Sequence, residues 1–204
     1  MRIFHVALLV CLPLAASAAE KGFRPLFAHK DLARDFIIDT PGVWELKDGV
    51  LRGHHSGQKY NDFLRTKKHY GNFILKVQFR LKDGEGNSGV QFRSKPVPDS
   101  HEVSGYQADI GQQYWGCLYD ESRRKKVLVT PTAAQLTGLD KKGWNTYVLT
   151  AQGNHITLEL NGVKTVEYTE TEPNIEQTGL IAFQVHSGPG IEVEFKNAVI
   201  RVLK

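Results

Sequence analysis

Residues 86–119 read GNSGVQFRSKPVPDSHEVSGYQADIGQQYWGCLY. Two short runs in this stretch, Gly89–Ser94 and Gly105–Ile110, alternate apolar and polar residues around a loop with two prolines. In the first, Val90 and Phe92 alternate with Gln91 and Arg93; in the second, Tyr106, Ala108 and Ile110 alternate with Gln107 and Asp109. Side chains of a strand point to opposite faces with period two, so each run has an apolar face and a face of long polar groups. If the runs are neighbours in one sheet, Gln91, Arg93, Gln107 and Asp109 share a surface, with Trp115 and Tyr119 nearby. Such a surface suits a polyhydroxylated ligand. The same pattern also describes an ordinary solvated sheet face.

Working outward, turn signals recur about every ten residues, the spacing of an all-β sandwich or barrel. Asn72–Leu81 is the clearest strand, with Phe73, Leu75, Val77, Phe79 and Leu81 alternating against Ile74, Lys76, Gln78 and Arg80. Asp48-Gly49 and Asn161-Gly162 are strong hairpin turns, the first between Val43–Leu46 and Val50–Gly53, the second between His155–Leu160 and Val163–Tyr168. Gly22–Phe27, Asp62–Thr66, Lys126–Thr130 and Trp144–Ala151 read as further strands, and Ile191–Phe195 and Val199–Leu203 as two closing ones. Gly179–His186 is another, with Ala182, Gln184 and His186 on one face. Pro131–Lys142 reads as a loop with room for a helical turn. No stretch carries three turns of amphipathic helical pattern. The expected fold is all-β, two packed antiparallel sheets.

The chain has 204 residues, and its first 19 read as a secretory signal peptide rather than part of the fold. Arg2 gives the positive start, Val6 to Leu14 the apolar core, and Ala16-Ser17-Ala18 the small-residue cleavage site. The apolar run is too short to span a bilayer. Residues 20–204 then form one domain, located in the periplasm or outside the cell. Only Cys117 survives processing, so an internal disulfide is impossible and a packed core must supply stability. The net charge of +4 falls to +3 once Arg2 is removed. Arg123 to Lys126 is a short basic run that reads as a solvated turn, too narrow for nucleic acid.

Taken in order, several pieces of the chain resemble the 3-keto-disaccharide hydrolase domain family. They are Leu26-Phe27 with Lys30-Asp31-Leu32, Trp44 with Asp48-Gly49-Val50, and Thr66 with Tyr70-Gly71-Asn72-Phe73. Asn87-Ser88-Gly89-Val90 up to Arg93 is the most recognisable motif. Trp144-Asn145, Leu160-Asn161-Gly162, Gly179 through Gln184 with His186, and Phe195-Lys196-Asn197 follow. The resemblance implies a concanavalin-like jelly-roll sandwich. Many members have Gly-Tyr-Glu-Val-Gln where this chain has Gly105-Tyr106-Gln107-Ala108-Asp109, so the acid moves two residues along and keeps its face.

The resemblance also implies cleavage of a glycoside whose sugar carries a ketone at C3. That ketone acidifies the C2 hydrogen and places the leaving group on C1 β to the carbonyl, so elimination and then hydration can break the bond. The chemistry asks for a base at C2, a donor for the C3 oxygen and an acid for the leaving oxygen. Asp109 is the expected base, Arg93 the expected oxyanion donor, and His186 an acid or a metal ligand. Gln91, Gln107, Gln184, Asn87, Trp115 and Tyr119 are the expected sugar contacts. Other readings stay open at this level: an Arg93–Asp109 ion pair, a structural His186, a core Trp115, and a turn formed by Asn87 and Ser88. Asp120 or Glu121 would add a second carboxylate suited to ordinary glycoside hydrolysis. A divalent ion on His186, Asp109 and another acid would polarise the ketone, and a structural Ca²⁺ needs only loop oxygens; ligand spacing decides neither. A non-catalytic carbohydrate-binding module, or a scaffold for a protein partner, would use the same fold.

Overall fold

The structure, a computed structural model, describes residues 20–204; the expected signal peptide lies outside them. The strands are β1 (Arg24–Pro25), β2 (Phe36–Ile37), β3 (Trp44–Lys47), β4 (Val50–His55), β5 (Asp62–Thr66), β6 (Phe73–Leu81), β7 (Asn87–Pro96) and β8 (Val103–Gly111). They continue as β9 (Leu118–Glu121), β10 (Lys126–Val129), β11 (Asn145–Gln152), β12 (His155–Leu160), β13 (Val163–Thr169), β14 (Leu180–Val185) and β15 (Ile191–Val202). Two 3-10 turns, Leu32–Arg34 and Ala133–Leu136, complete the regular structure of the described residues. One sheet runs β13-β12-β11-β6-β15-β4-β3, with β1 on β15; the other runs β10-β9-β8-β7-β14-β5-β2. Every pairing is antiparallel. The two sheets face each other as a jelly-roll sandwich.

Period two explains the core. In β6 the residues Phe73, Leu75, Val77, Phe79 and Leu81 are buried and the intervening ones half-buried. From the opposite sheet come Val90, Phe92, Tyr106, Ala108, Ile110, Ile181, Phe183 and Val185. Phe183 meets Phe195 across the interface at 4.8 Å between ring centres. Burying a side chain of this size contributes roughly 1.5–3 kcal/mol, and Cys117 is buried here as a free thiol. Asp48-Gly49 and Asn161-Gly162 both have positive φ at each residue, the primed turn that matches strand twist.

Three local readings change. Gly22–Phe27 shrinks to the two-residue β1, where Pro25 has no N–H to donate to a ladder. The two closing strands are one, β15, bulged where Asn197 takes a φ of +51° and the register shifts between Lys196 and Val199. The basic run at 123–126 is half structural. Arg123 and Arg124 both bind the fully buried Asp120, and Arg124 also reaches Glu170 at 2.6 Å.

Candidate functional site

The outer face of the β9-β8-β7 part of its sheet carries the site. Tyr106, Ala108 and Ile110 enter the core, so Gln107 and Asp109 face outward. Gln107 sits between Tyr119 of β9 and Gln91 of β7, Asp109 opposite Gly89, and Glu121 opposite Gly105. Gly89 leaves an open place that the Gln107 side chain fills. A Cβ there would stand 2.5 Å from Gln107 Cδ.

Asn87, Gln107, Asp109, Tyr119 and Glu121 form the walls of a hollow of about 160 Å³, completed by Asn61, Gln112, Tyr114 and His186. Asp109 is 3% exposed. Its Oδ1 accepts from Asn87 Nδ2 at 2.9 Å and its Oδ2 from Gln107 Nε2 at 3.2 Å. Burial raises its pKa to about 7; the two amide donors pull the other way, and the charge of Glu121 adds to the rise. Glu121 is likewise raised to about 7, first by burial and then by the charge of Glu102. Burial, with Glu121 next, raises the Tyr119 phenol and keeps it a proton donor. Tyr114 and Tyr119 meet edge to face, 6.2 Å between centres. His186 Nδ1 lies 2.7 Å from the Ser187 carbonyl, which can only accept, so Nδ1 carries a proton and a neutral ring keeps Nε2 as its free lone pair. Asn61 accepts from Ser187 N and donates to Glu102, fixing that edge of the hollow.

Of the expected residues, the hollow brings together Asn87, Gln107, Asp109, Tyr119 and His186. It does not include Arg93. A bulge between Phe92 and Lys95 puts Arg93 at a φ of +47° and turns its side chain away. Its guanidinium donates to the carbonyls of Gly71 (2.9 Å) and Gly153 (2.7 Å) and to Asn72 Oδ1 (3.3 Å). Burial lowers its pKa, and among the described residues no carboxylate lies within 4.0 Å, so the Arg93–Asp109 ion pair is absent as well. Trp115 is a core residue, stacked 6.4 Å from Phe79. Gln91 and Gln184 are both fully buried and neither lines the hollow; Gln91 bonds Gln107 from behind it. Glu121, and not Asp120, is the second carboxylate. Asn61, Gln112 and Tyr114 are new; they sit in connections, where no period marks them.

Among the described residues, no three of His, Cys, Asp and Glu converge as metal ligands would. Asp109, Glu121 and His186 all line the hollow but do not converge on one point, so the residues as placed do not fit the ion considered above, and the chemistry below uses protein groups alone.

Solved structures support the fold. A protein from Parabacteroides distasonis provisionally called a glycosyl hydrolase matches with 21% identity and a TM-score of 0.68, over 95% of this chain and 99% of its own. The carbohydrate-binding module CBM66 from Bacillus subtilis matches with 15% identity and a TM-score of 0.64, over 82% and 95%. The β-glucanase of Bacillus licheniformis matches with 12% identity and a TM-score of 0.57, over 89% and 97%. A comparison with curated proteins finds no match. The profile of the 3-keto-alpha-glucoside-1,2-lyase-like domain matches residues 22–201. The chain, whose Asn87-Ser88-Gly89-Val90 motif contributes Asn87 to the hollow, belongs to that domain family.

Proposed function

We propose that the domain cleaves glycosides oxidised to a ketone at C3, by elimination across C1 and C2 followed by hydration. One observation carries the reading. Two carboxyl groups, Asp109 and Glu121, share one polar hollow and are both held near neutrality, where one can serve ionised and the other protonated. Asp109 takes the C2 proton, and the C–H pair becomes the enolate with its charge on the C3 oxygen. The hydroxyls of Tyr114 and Tyr119 donate to that oxygen in place of Arg93. The C1–O bond then breaks, and Glu121 protonates the leaving oxygen. Water adds to C1 of the enone and a proton returns to C2, which restores both carboxyls.

The apolar opening of residues 1–19 supports export, so the proposed substrate is met outside the cytoplasm. Among the described residues, no helix is long and apolar enough to cross a membrane.

The test is incubation of residues 20–204 with a 3-keto-disaccharide and with its unoxidised parent, each with and without chelator, following free sugar. Release from the keto sugar alone is expected. Equal release from both would point to ordinary two-carboxylate hydrolysis. Tight binding without release would favour a carbohydrate-binding module, the description carried by CBM66.

A further inference from the structure

Behind the Asp109 wall the buried polar groups of β7 and β8 form one unbroken chain. Ser94 Oγ lies 2.9 Å from Gln91 Oε1, and Gln91 Nε2 donates to Gln107 Oε1 at 3.0 Å. Gln107 Nε2 then donates to Asp109 Oδ2 at 3.2 Å. Ser94, Gln91 and Gln107 are each no more than 1% exposed. An amide has one donating and one accepting end, so each link dictates the next. An ionised Asp109 only accepts, which demands the N–H end of Gln107. The carbonyl of Gln107 then faces Gln91 and demands its N–H, and the carbonyl of Gln91 faces the Ser94 hydroxyl, which also lies 2.9 Å from the Phe92 carbonyl, so the polarity is set from the Asp109 end.

Two glycines make room for the ends of this chain. A Cβ on Gly89 would stand 2.5 Å from Gln107 Cδ, and one on Gly105 would stand 2.2 Å from Ser94 Oγ. Both distances are closer than real Cβ atoms approach, and the Gln107 side chain is boxed in by its two hydrogen bonds.

We propose that Ser94, Gln91 and Gln107 are a positioning relay whose fixed polarity keeps N–H, never C=O, turned toward the Asp109 carboxylate, and that Gly89 and Gly105 serve to seat it. Its catalytic meaning rests on Asp109 being the base of the proposed reaction, but its existence does not. The other groups that face Asp109 are Asn87 from β7, the Ile110 main-chain N–H from β8, Glu121 and Tyr119 from β9, and Cys117, which precedes that strand; Tyr114 and His186 face it across the hollow, and Tyr147 through the core. None is a Lys or Arg, so the amide donors are the main support of the charge.

The experiment is an NMR pH titration of residues 20–204 with ¹³C-labelled aspartate and ¹⁵N-labelled glutamine. In the unmutated protein the Gln107 side-chain nitrogen should follow the Asp109 midpoint. Gln91→Met keeps the volume but frees Gln107 to turn over. Gly89→Ala keeps every polar group but displaces Gln107. Each should move the Asp109 midpoint up by about one unit, the worth of one hydrogen bond to a charged group. An Asp109 midpoint unmoved in both folded variants overturns the relay. So does a Gln107 signal indifferent to Asp109 in the unmutated protein, a readout that stands if neither variant folds. A shifted Asp109 in a protein that never cleaves keto sugars would overturn the reaction and leave the relay standing.

Discussion

Tyr147, on β11 of the eight-stranded sheet, reaches through the core and donates its phenolic proton to the main-chain carbonyl of Asp109. The same oxygen of Tyr147 accepts from Gly116 N at 3.0 Å, so one buried hydroxyl ties the base-bearing strand to the 112–117 connection. The hydroxyl is fully enclosed, and burial holds its pKa well above the phenol range. The floor of the hollow is therefore anchored from the far sheet.

Tyr147→Phe leaves the Gly116 N–H only its longer 3.3 Å bond to the Asp109 main-chain carbonyl and costs that carbonyl the phenolic donor. A loss of about 1 kcal/mol is expected, the net worth of a hydrogen bond whose former partners still pair with each other, read from urea unfolding midpoints. An unchanged midpoint would mean the tie carries no load.

Arg93 is expected to matter for stability and not for turnover. Arg93→Lys loses the fork that serves Gly71, Gly153 and Asn72 together, at roughly 3 kcal/mol or more. Kcat per folded molecule should stay within a few-fold. A Lys variant as stable as the original yet inactive would return Arg93 to the chemistry.

Alternation places Gln107 and Asp109 on the outward face, where the structure has them, because β8 is regular there; Tyr119, read only as a near neighbour, lies beside Gln107 on β9. Alternation misleads at Arg93, because a bulge adds a residue and the run Arg93-Ser94-Lys95 contains no glycine to announce it. It places Gln184 off the core side correctly but not in the open. Leu180, Ala182, Phe63 and Val103 form a second apolar cluster on that same outer side, so this part of the face is covered. Trp115 sits in a connection, where no period tells a core ring from a stacking platform. The sandwich itself is legible throughout, since nearly every strand carries its own parity and the two hairpin turns their own signature.

Glu121→Gln tests the acid. With a poor leaving group such as a second sugar, turnover should fall roughly 10²-fold or more. A 3-keto aryl glycoside with an acidic phenol leaves without a proton and should be cleaved at close to the original rate. Equal losses on both substrates would remove Glu121 from that role.

The two raised carboxyls set the pH behaviour. Their unfolded values are near the ordinary 3.8 and 4.5, and their folded ones near 7. Between about pH 4 and 7 the folded state keeps protons that the unfolded state has lost, so these groups make stability fall as pH rises, and the fall ends above about 7. Relative to the unmutated protein, Asp109→Asn should therefore gain stability across that window, measured by thermal melts from pH 4 to 8. A difference independent of pH would mean Asp109 is not raised. Turnover should be bell-shaped and centred near pH 7, since the ionised base needs higher pH and the protonated acid lower; the two limbs belong to the pair.

The most direct measurement is free-sugar release from a 3-keto-disaccharide by the unmutated protein and by Asp109→Asn, at saturating substrate and matched folded concentration. Turnover should fall roughly 10²–10⁴-fold, the usual worth of a positioned base, while substrate affinity changes little because the amide keeps the shape of the carboxyl. Turnover in Asp109→Asn equal to that of the unmutated protein would contradict the account.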